Sequence, residues 1–232
     1  MIPLKDDNPT KNKSYIRLII LAICSVVFIL QISSKNTDYY NFFFGFKPAT
    51  LFTQSNTPTF FAPLTLITSI FMHGGWMHFI GNMLYLWIFA DNVEDVMGRK
   101  KFIFFYFFAG IVASFTQAFI DINSTIPMIG ASGSIAGILG SYLYLFPRAK
   151  VLVLIPFFIF FTMRISALYL LIFWFVYQFM NLGIQGSNVA WFAHIGGFVF
   201  GFFYSLFFVN KPINIKVKKG KSVFLQKKGP WD

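Results

Sequence analysis

Six apolar runs separated by polar segments set the pattern of this chain. They cover residues 15–32, 75–90, 102–120, 132–146, 167–182 and 189–209. A helix needs about 20 apolar residues to cross the hydrocarbon core of a bilayer, and runs near that length indicate transmembrane helices. The pattern therefore predicts an all-α polytopic membrane protein, built as a bundle of six transmembrane helices.

One further apolar run, residues 151–163, is shorter than the others and contains Pro156. The basic residues Arg148, Lys150 and Arg164 lie at its two ends. A short run with charged flanks is typical of a segment that lies in the membrane interface or enters and leaves on one side. We expect such an interfacial or re-entrant segment; a true crossing here would invert the C-terminal half of the chain.

Composition excludes an ordinary soluble domain. Hydrophobic residues make up 56% of the chain and charged residues only 12%, whereas soluble domains carry about 25% charged residues. The single cysteine, Cys24, lies inside the first apolar run. It offers neither an intramolecular disulfide nor a cysteine-based metal cluster, and we expect no metal and no cofactor.

The net charge of +11 follows from the predicted topology. With the N-terminus inside, six crossings place every one of the 19 basic residues except Lys35 and Lys47 on the inner side. Basic residues gather on the cytoplasmic side of membrane proteins, so we expect both termini in the cytoplasm and no nucleic-acid partner. The predicted divisions are a cytoplasmic segment 1–14, a six-span domain 15–209 and a basic cytoplasmic tail 210–232.

Strongly polar residues interrupt three of the runs. In this topology the second, fourth and sixth runs all lead from outside to inside, and each carries its polar residues near its outer end. These residues are His78 and Asn82, Ser132, and His194. His78 and Asn82 are four residues apart and share one helix face. Polar groups inside a membrane are costly and mark a site that faces the bundle interior, so we expect the four to converge.

Small residues surround Ser132 and follow His194. The glycines expected at helix contacts are Gly130, Gly133, Gly137, Gly197 and Gly201. Glycine faces let two helix backbones approach closely, so the fourth and sixth helices can bring Ser132 and His194 within hydrogen-bond reach. The alternative is a plain helix start, with Ser132 as the N-cap and the glycines as packing points.

A serine that faces a histidine suggests nucleophilic catalysis, in which the imidazole takes the hydroxyl proton. No Asp or Glu lies inside the predicted spans, so the chemistry would be that of a Ser–His dyad. The expected oxyanion donors are Asn82, His78 and the backbone N–H of Ser132. Taken singly, a histidine in a membrane helix is expected to be a packing residue, and Asn82 is expected to form a hydrogen bond between helices. Polar residues at a similar depth on three helices instead favour an active site.

Three motifs stand in order along the chain: His78 to Asn82 as HxxxN, residues 130–133 as GxSG, and residues 193–201 as AHxGGxxxG. In these motifs the sequence resembles the rhomboid family of intramembrane serine proteases, and the stretch 73–78 resembles the bacterial branch. Some members carry a Tyr four residues after the nucleophile, where this chain has Ala136. In this chain the ring of His194 is then expected to stack on one of three other aromatic residues, or on none. These residues are Tyr142, Trp174 and Trp191.

The resemblance implies a six-span core with Ser132 as nucleophile and His194 as general base. It also implies an acyl-enzyme route that cleaves single-span membrane proteins within or near their transmembrane segment. The partners would be those substrates and the lipid bilayer, in the inner (plasma) membrane of a bacterial cell. Two alternatives stay open: a rhomboid-like protein that binds membrane clients without cleaving them, and a small transporter.

Overall fold

The structure is a computed structural model that describes residues 1–34, 36–53, 55–155, 161–182, 189–216 and 222–225. These residues are mostly helical. The helices are α1 (Tyr15–Ser33), α2 (Thr37–Phe44), α3 (Pro48–Phe52), α4 (Ala62–Thr68), α5 (Trp76–Met97), α6 (Arg99–Ala118), α7 (Ser132–Leu145), α8 (Ala167–Met180) and α9 (Trp191–Phe208). The strands are β1 (Ile2–Asp6), β2 (Lys150–Ile155), β3 (Phe161–Ser166), β4 (Ile213–Lys216) and β5 (Ser222–Leu225).

Each of the six predicted runs is a helix, namely α1 and α5 to α9. Among the described residues, α1, α6 and α9 are long and apolar enough to cross a membrane, and α8 is a shorter apolar helix. Helix α5 continues past the predicted end at residue 90 to Met97, because its last turns carry polar residues that bind the N-terminal segment.

Helix α7 is short and lies inside the bundle. Its 14 residues extend about 21 Å at about 1.5 Å per residue, less than the hydrocarbon core of about 30 Å. Residues 133–142 are all buried, with α5, α6, α8 and α9 packed around them. The helix that opens at Ser132 is therefore shielded by protein on every side.

The expectation of an all-α chain is wrong for residues 150–155 and 161–166. They form the antiparallel strands β2 and β3, and β1 adds to β2 as a third strand. In β2 the side chains alternate, with Val151 and Val153 fully buried. A short apolar run cannot be assigned to helix or strand by periodicity alone, and the β-branched residues favour a strand here. Pro156 lies outside the described residues.

The N-terminal segment is held by acidic residues at the C-terminal end of α5. Glu94 is buried and accepts hydrogen bonds from the backbone N–H of Ile16 at 3.0 Å and of Arg17 at 2.8 Å, so it caps the first turn of α1. Asp95 accepts from the backbone N–H groups of residues 11 and 12. Segment 1–14 is thus part of the folded unit.

Candidate active site

Helices α7 and α9 touch backbone to backbone at two pairs of glycines. A Cβ atom added to Gly197 would lie 2.2 Å from the carbonyl oxygen of Gly133. One added to Gly201 would lie 1.8 Å from the carbonyl oxygen of Gly137. No real Cβ atom sits so close to an oxygen, so this contact requires glycine at both α9 positions. All four glycines at this contact are among those predicted at helix contacts.

The two helices run parallel and in one register. Ser141 Oγ and Ser205 Oγ form a buried hydrogen bond at 2.6 Å, and they are 64 residues apart, as are both glycine pairs. The same offset of 64 residues, applied toward the N-terminal ends of both helices, puts His194 level with residue 130. Ser132 is then about 3 Å away along the helix axis, at about 1.5 Å per residue. His194 precedes Gly197 by three residues, so it lies on the face of α9 that contacts α7.

Ser132 is the first residue of α7, and the N-cap position belongs to Ala131. No side chain makes a cap hydrogen bond there. The alternative in which Ser132 serves as N-cap is therefore wrong, and its hydroxyl is not committed to capping. Backbone N–H groups in the first turn of a helix have no intrahelical partner, and they carry the positive end of the helix dipole. The N–H of Ser132 belongs to this set.

His78 reaches the turn that precedes Ser132. A Cβ atom added to Gly130 would lie 2.6 Å from Nε2 of His78 and 3.7 Å from Oγ of Ser132. Gly130 has a φ of +118°, a conformation that other residues rarely adopt. Only glycine therefore lets the imidazole of α5 and the hydroxyl of α7 border the same Cα atom.

The hydrogen bond of the His78 ring defines its tautomer. Its Nδ1 accepts from the backbone N–H of Gly74 at 3.3 Å. In a neutral imidazole one nitrogen accepts and the other carries the proton, so Nε2 is the N–H donor. That donor is the atom beside Gly130, on the side of the Ser132 hydroxyl.

Asn82 lies one turn below His78 on the same face of α5 and is buried. Its Nδ2 donates to the backbone carbonyl of His78 at 2.8 Å. A primary amide has two N–H donors, so this bond occupies one of them. This hydrogen bond lies within α5, the second predicted span. It therefore does not join Asn82 to another helix.

The ring of His194 has a hydrogen-bond partner that sequence reasoning missed. Its Nδ1 lies 2.9 Å from Oε1 of Gln178 on α8. The rings of Trp174 and Trp191 flank it, with centroids at 5.9 Å and 6.0 Å. Two of the three aromatic candidates therefore contact His194. The third, Tyr142, instead hydrogen-bonds to Asp6 near the C-terminal end of α7.

A second glutamine supports the helix that carries His194. Gln117 Oε1, on α6, accepts from the backbone N–H of Phe192 at 3.1 Å and of Ala193 at 3.4 Å. It caps the first turn of α9 from a neighbouring helix. Gln117 and Gln178 each interrupt an otherwise apolar stretch, which is a signal that the sequence does offer. Nothing in the sequence indicates that either residue lies near His194.

Among the described residues, no hydrogen bond or salt bridge connects an acidic residue to this site. The acidic residues of α5 lie near its C-terminal end, nine or more residues after Asn82, or about 13 Å along the axis. The described residues also contain no group of three His, Cys, Asp or Glu side chains that could hold a metal ion. The chemistry available is thus that of a hydroxyl, imidazoles, amides and backbone N–H groups.

Comparison with known proteins places these residues in a family context. The profile of the Rhomboid domain matches residues 62–211. The chain is 30% identical to Rhomboid protease GluP of Bacillus subtilis over 202 residues, which is 86% of this chain and 35% of that protein. It is 27% identical to the mitochondrial Rhomboid protein 1 of Saccharomyces cerevisiae over 72% of the chain and 47% of that protein.

Mitochondrial relatives also include the Presenilin-associated rhomboid-like protein A of Danio rerio, 31% identical over 61% of this chain and 36% of that protein. The chain thus aligns with between about a third and a half of the length of these relatives. Bacterial and mitochondrial proteins both occur among them, so the resemblance to the bacterial branch stays a prediction.

Proposed function

The chain belongs to the rhomboid domain family, and on this premise we propose that it is an intramembrane serine endopeptidase acting on single-span membrane proteins. The observation that carries the proposal is the packing of α7 on α9. Glycine contacts and the Ser141–Ser205 bond hold these helices parallel and set Ser132 and His194 at nearly one height. A nucleophile and its base need such fixed placement.

In the proposed reaction His194 Nε2 takes the hydroxyl proton as Ser132 Oγ attacks the scissile carbonyl carbon. The tetrahedral intermediate collapses, the C–N bond breaks, and the leaving amine receives the proton from His194. Water then attacks the acyl-enzyme ester and gives a proton to His194. Release of the acid product returns that proton to the Ser132 oxygen.

The oxyanion of the tetrahedral intermediate would lie among three donors. They are the backbone N–H of Ser132, the Nε2–H of His78 and the second N–H of Asn82. The first lies at the positive end of α7, and the second is fixed by the bond from Gly74 to His78. Donors placed in advance around a developing negative charge lower the barrier without reorganisation.

The proposed setting is a membrane crossed six times, with both termini in the cytoplasm. Three described helices meet the length and hydropathy of a span. Helix α7 is shorter, which leaves Ser132 below the outer surface if the inner end of α7 lies at the inner boundary. The proposed divisions are a cytoplasmic segment 1–14, a six-span domain 15–209 and a basic cytoplasmic tail 210–232. The proposed location is the inner membrane of a bacterial cell.

Labelling with a serine-directed fluorophosphonate tests the proposal. Purified wild-type protein should be labelled, and Ser132→Ala should not. Ser134→Ala is the matched control, because Ser134 lies two residues further along α7 and is fully buried; it should label as wild type does. Label retained in Ser132→Ala would refute the nucleophile. A wild type that captures a transmembrane substrate without labelling or cleavage would instead indicate the non-proteolytic binding protein.

A further inference from the structure

We infer that Gln178 is the positioning residue that holds His194 in the tautomer needed for catalysis, with an uncharged amide where serine triads place a carboxylate. The inference rests on the proposed function for its catalytic meaning. The tautomer itself can be measured whether or not the chain cleaves a substrate.

The orientation of the Gln178 amide is set by its second hydrogen bond. Its Nε2 donates to the backbone carbonyl of Trp174 at 2.6 Å, one turn earlier on α8. Turning the amide over would set its oxygen 2.6 Å from that carbonyl oxygen, and two acceptors so close repel each other. The oxygen Oε1 therefore faces His194, at 2.9 Å from Nδ1.

This orientation determines which nitrogen of His194 carries the proton. An amide oxygen can only accept, so Nδ1 of His194 must donate. The proton of the neutral ring is then on Nδ1, and Nε2 keeps a free lone pair. Nε2 is the atom that must take the proton of Ser132, so Gln178 selects the basic tautomer.

Burial and stacking keep this pair in place. Gln178 is only 2% exposed, so water competes little for its oxygen. Trp174 contributes twice, since its carbonyl anchors the amide and its indole lies beside the imidazole at an interplanar angle of 35°. Trp191 meets the ring of His194 at 87°, edge to face. The imidazole is thus restrained by two indole rings as well as at Nδ1.

An amide suits this position better than a carboxylate. A buried charge in an apolar bundle is expensive unless it is paired, whereas a hydrogen-bonded amide is not. When His194 gains a proton during the reaction, the bond from Nδ1–H to Oε1 becomes charge-assisted and strengthens. Gln178 therefore stabilises the imidazolium at the moment it forms while remaining neutral throughout.

Nitrogen NMR of histidine tests the tautomer directly. The chain has only three histidines, so ¹⁵N-histidine labelling gives few signals, and His194→Gln identifies those of His194. At neutral pH, wild-type His194 should carry its proton on Nδ1. Gln178→Met, which removes the acceptor at similar length, should move the signals toward the Nε2-protonated form. Gln178→Glu restores an acceptor oxygen and should restore the Nδ1-protonated form.

Activity on a model transmembrane substrate gives the second readout. Gln178→Met should lower kcat on the order of 10- to 100-fold with KM unchanged, the loss expected for one hydrogen bond to a charged group. Asn181→Leu is the matched control, because Asn181, at the C-cap of α8, makes the same type of bond to the Tyr177 carbonyl at 2.6 Å. It should keep wild-type kcat and tautomer.

Two results would overturn the inference. One is a wild-type His194 protonated on Nε2; this measurement does not use Gln178→Met, so a misfolded Gln178→Met cannot obscure it. The other is a folded Gln178→Met with an unchanged tautomer or unchanged kcat. A chain that cleaves no substrate but shows the Nδ1-protonated ring would contradict the proposed function and leave the positioning by Gln178 standing.

Discussion

Gly201 of α9 contacts the carbonyl oxygen of Gly137 on α7 so closely that an added Cβ atom would lie 1.8 Å from that oxygen. This approach fixes how far apart the helices of Ser132 and His194 can be. Any side chain at residue 201 must push the two helices apart. The spacing between Ser132 and His194 therefore depends on a contact that lies seven residues after His194, or about 10 Å along α9.

Gly201→Ala should destabilise the protein and reduce proteolysis together. Overpacking a tight contact costs about 1–3 kcal/mol, sometimes more, and the separation also displaces the base from the nucleophile. Thermal melting in detergent and initial rates measure both effects. Gly81→Ala is the control, since a Cβ atom there meets no other atom within 4 Å, and it should melt no lower than wild type. Equal melting of Gly201→Ala and wild type would contradict the close contact.

Reporter fusions test the proposed topology. Fusions placed after Gly98 and after Asn210 should read cytoplasmic, and one after Asn123, in the loop between α6 and α7, should read external. The physical reason is the concentration of basic residues on one side of the six crossings. An external signal after Asn210 would mean that residues 150–166 do cross the membrane and that α9 is inverted.

The oxyanion donors should differ from the base in how much activity their loss removes. Asn82→Ala and His78→Ala should each lower kcat about 10²- to 10³-fold, the usual effect of one missing donor. His194→Ala should be essentially inactive, because no other group takes the proton. Steady-state rates on one substrate provide the comparison. A folded Asn82→Ala as inactive as His194→Ala would show that the roles are assigned wrongly.

Asp6 gives the fold a pH dependence where β1 meets α7. Burial, assisted by the nearby carboxylate of Asp91 and opposed by the Tyr142 hydroxyl, raises the pKa of Asp6 from 3.8 to about 6. Asp6 accepts a hydrogen bond from that hydroxyl at 2.6 Å. The folded protein holds the proton more tightly than the unfolded chain, so this contribution to stability is full below about pH 4 and lost as pH rises to about 6.

Asp6→Asn keeps an acceptor for Tyr142 and cannot titrate. The Tm of wild type relative to Asp6→Asn should therefore be highest near pH 4 and decline to a plateau above pH 6. Thermal melts of both proteins across this range give the difference, in which titrating groups that do not interact with Asp6 cancel. A difference that is constant from pH 4 to pH 7 would show that the pKa of Asp6 is not raised.

The sequence predicts the parts of this site that have local signals. Ser132, His78, Asn82 and His194 stand out as polar residues in apolar runs, and the helix starts at Ser132 and near His194 follow from the same pattern. The positions of the helices along the chain follow too, since each run is close to the observed helix.

The parts that sequence reasoning misses depend on contacts between distant segments. Gln178 and Gln117 acquire their roles only because α8 and α6 pack beside the start of α9. The bond from Tyr142 to Asp6 joins residues 136 apart. Strands β2 and β3 are missed because a short apolar run has no periodicity that separates a strand from a membrane segment.

The most direct test of the central claim is cleavage of a model single-span substrate by the purified protein in liposomes. Wild type and Ser134→Ala should release two fragments cut within or near the transmembrane segment, and Ser132→Ala and His194→Ala should release none while melting as wild type does. Fragments produced by folded Ser132→Ala at the wild-type rate would contradict a Ser132–His194 protease.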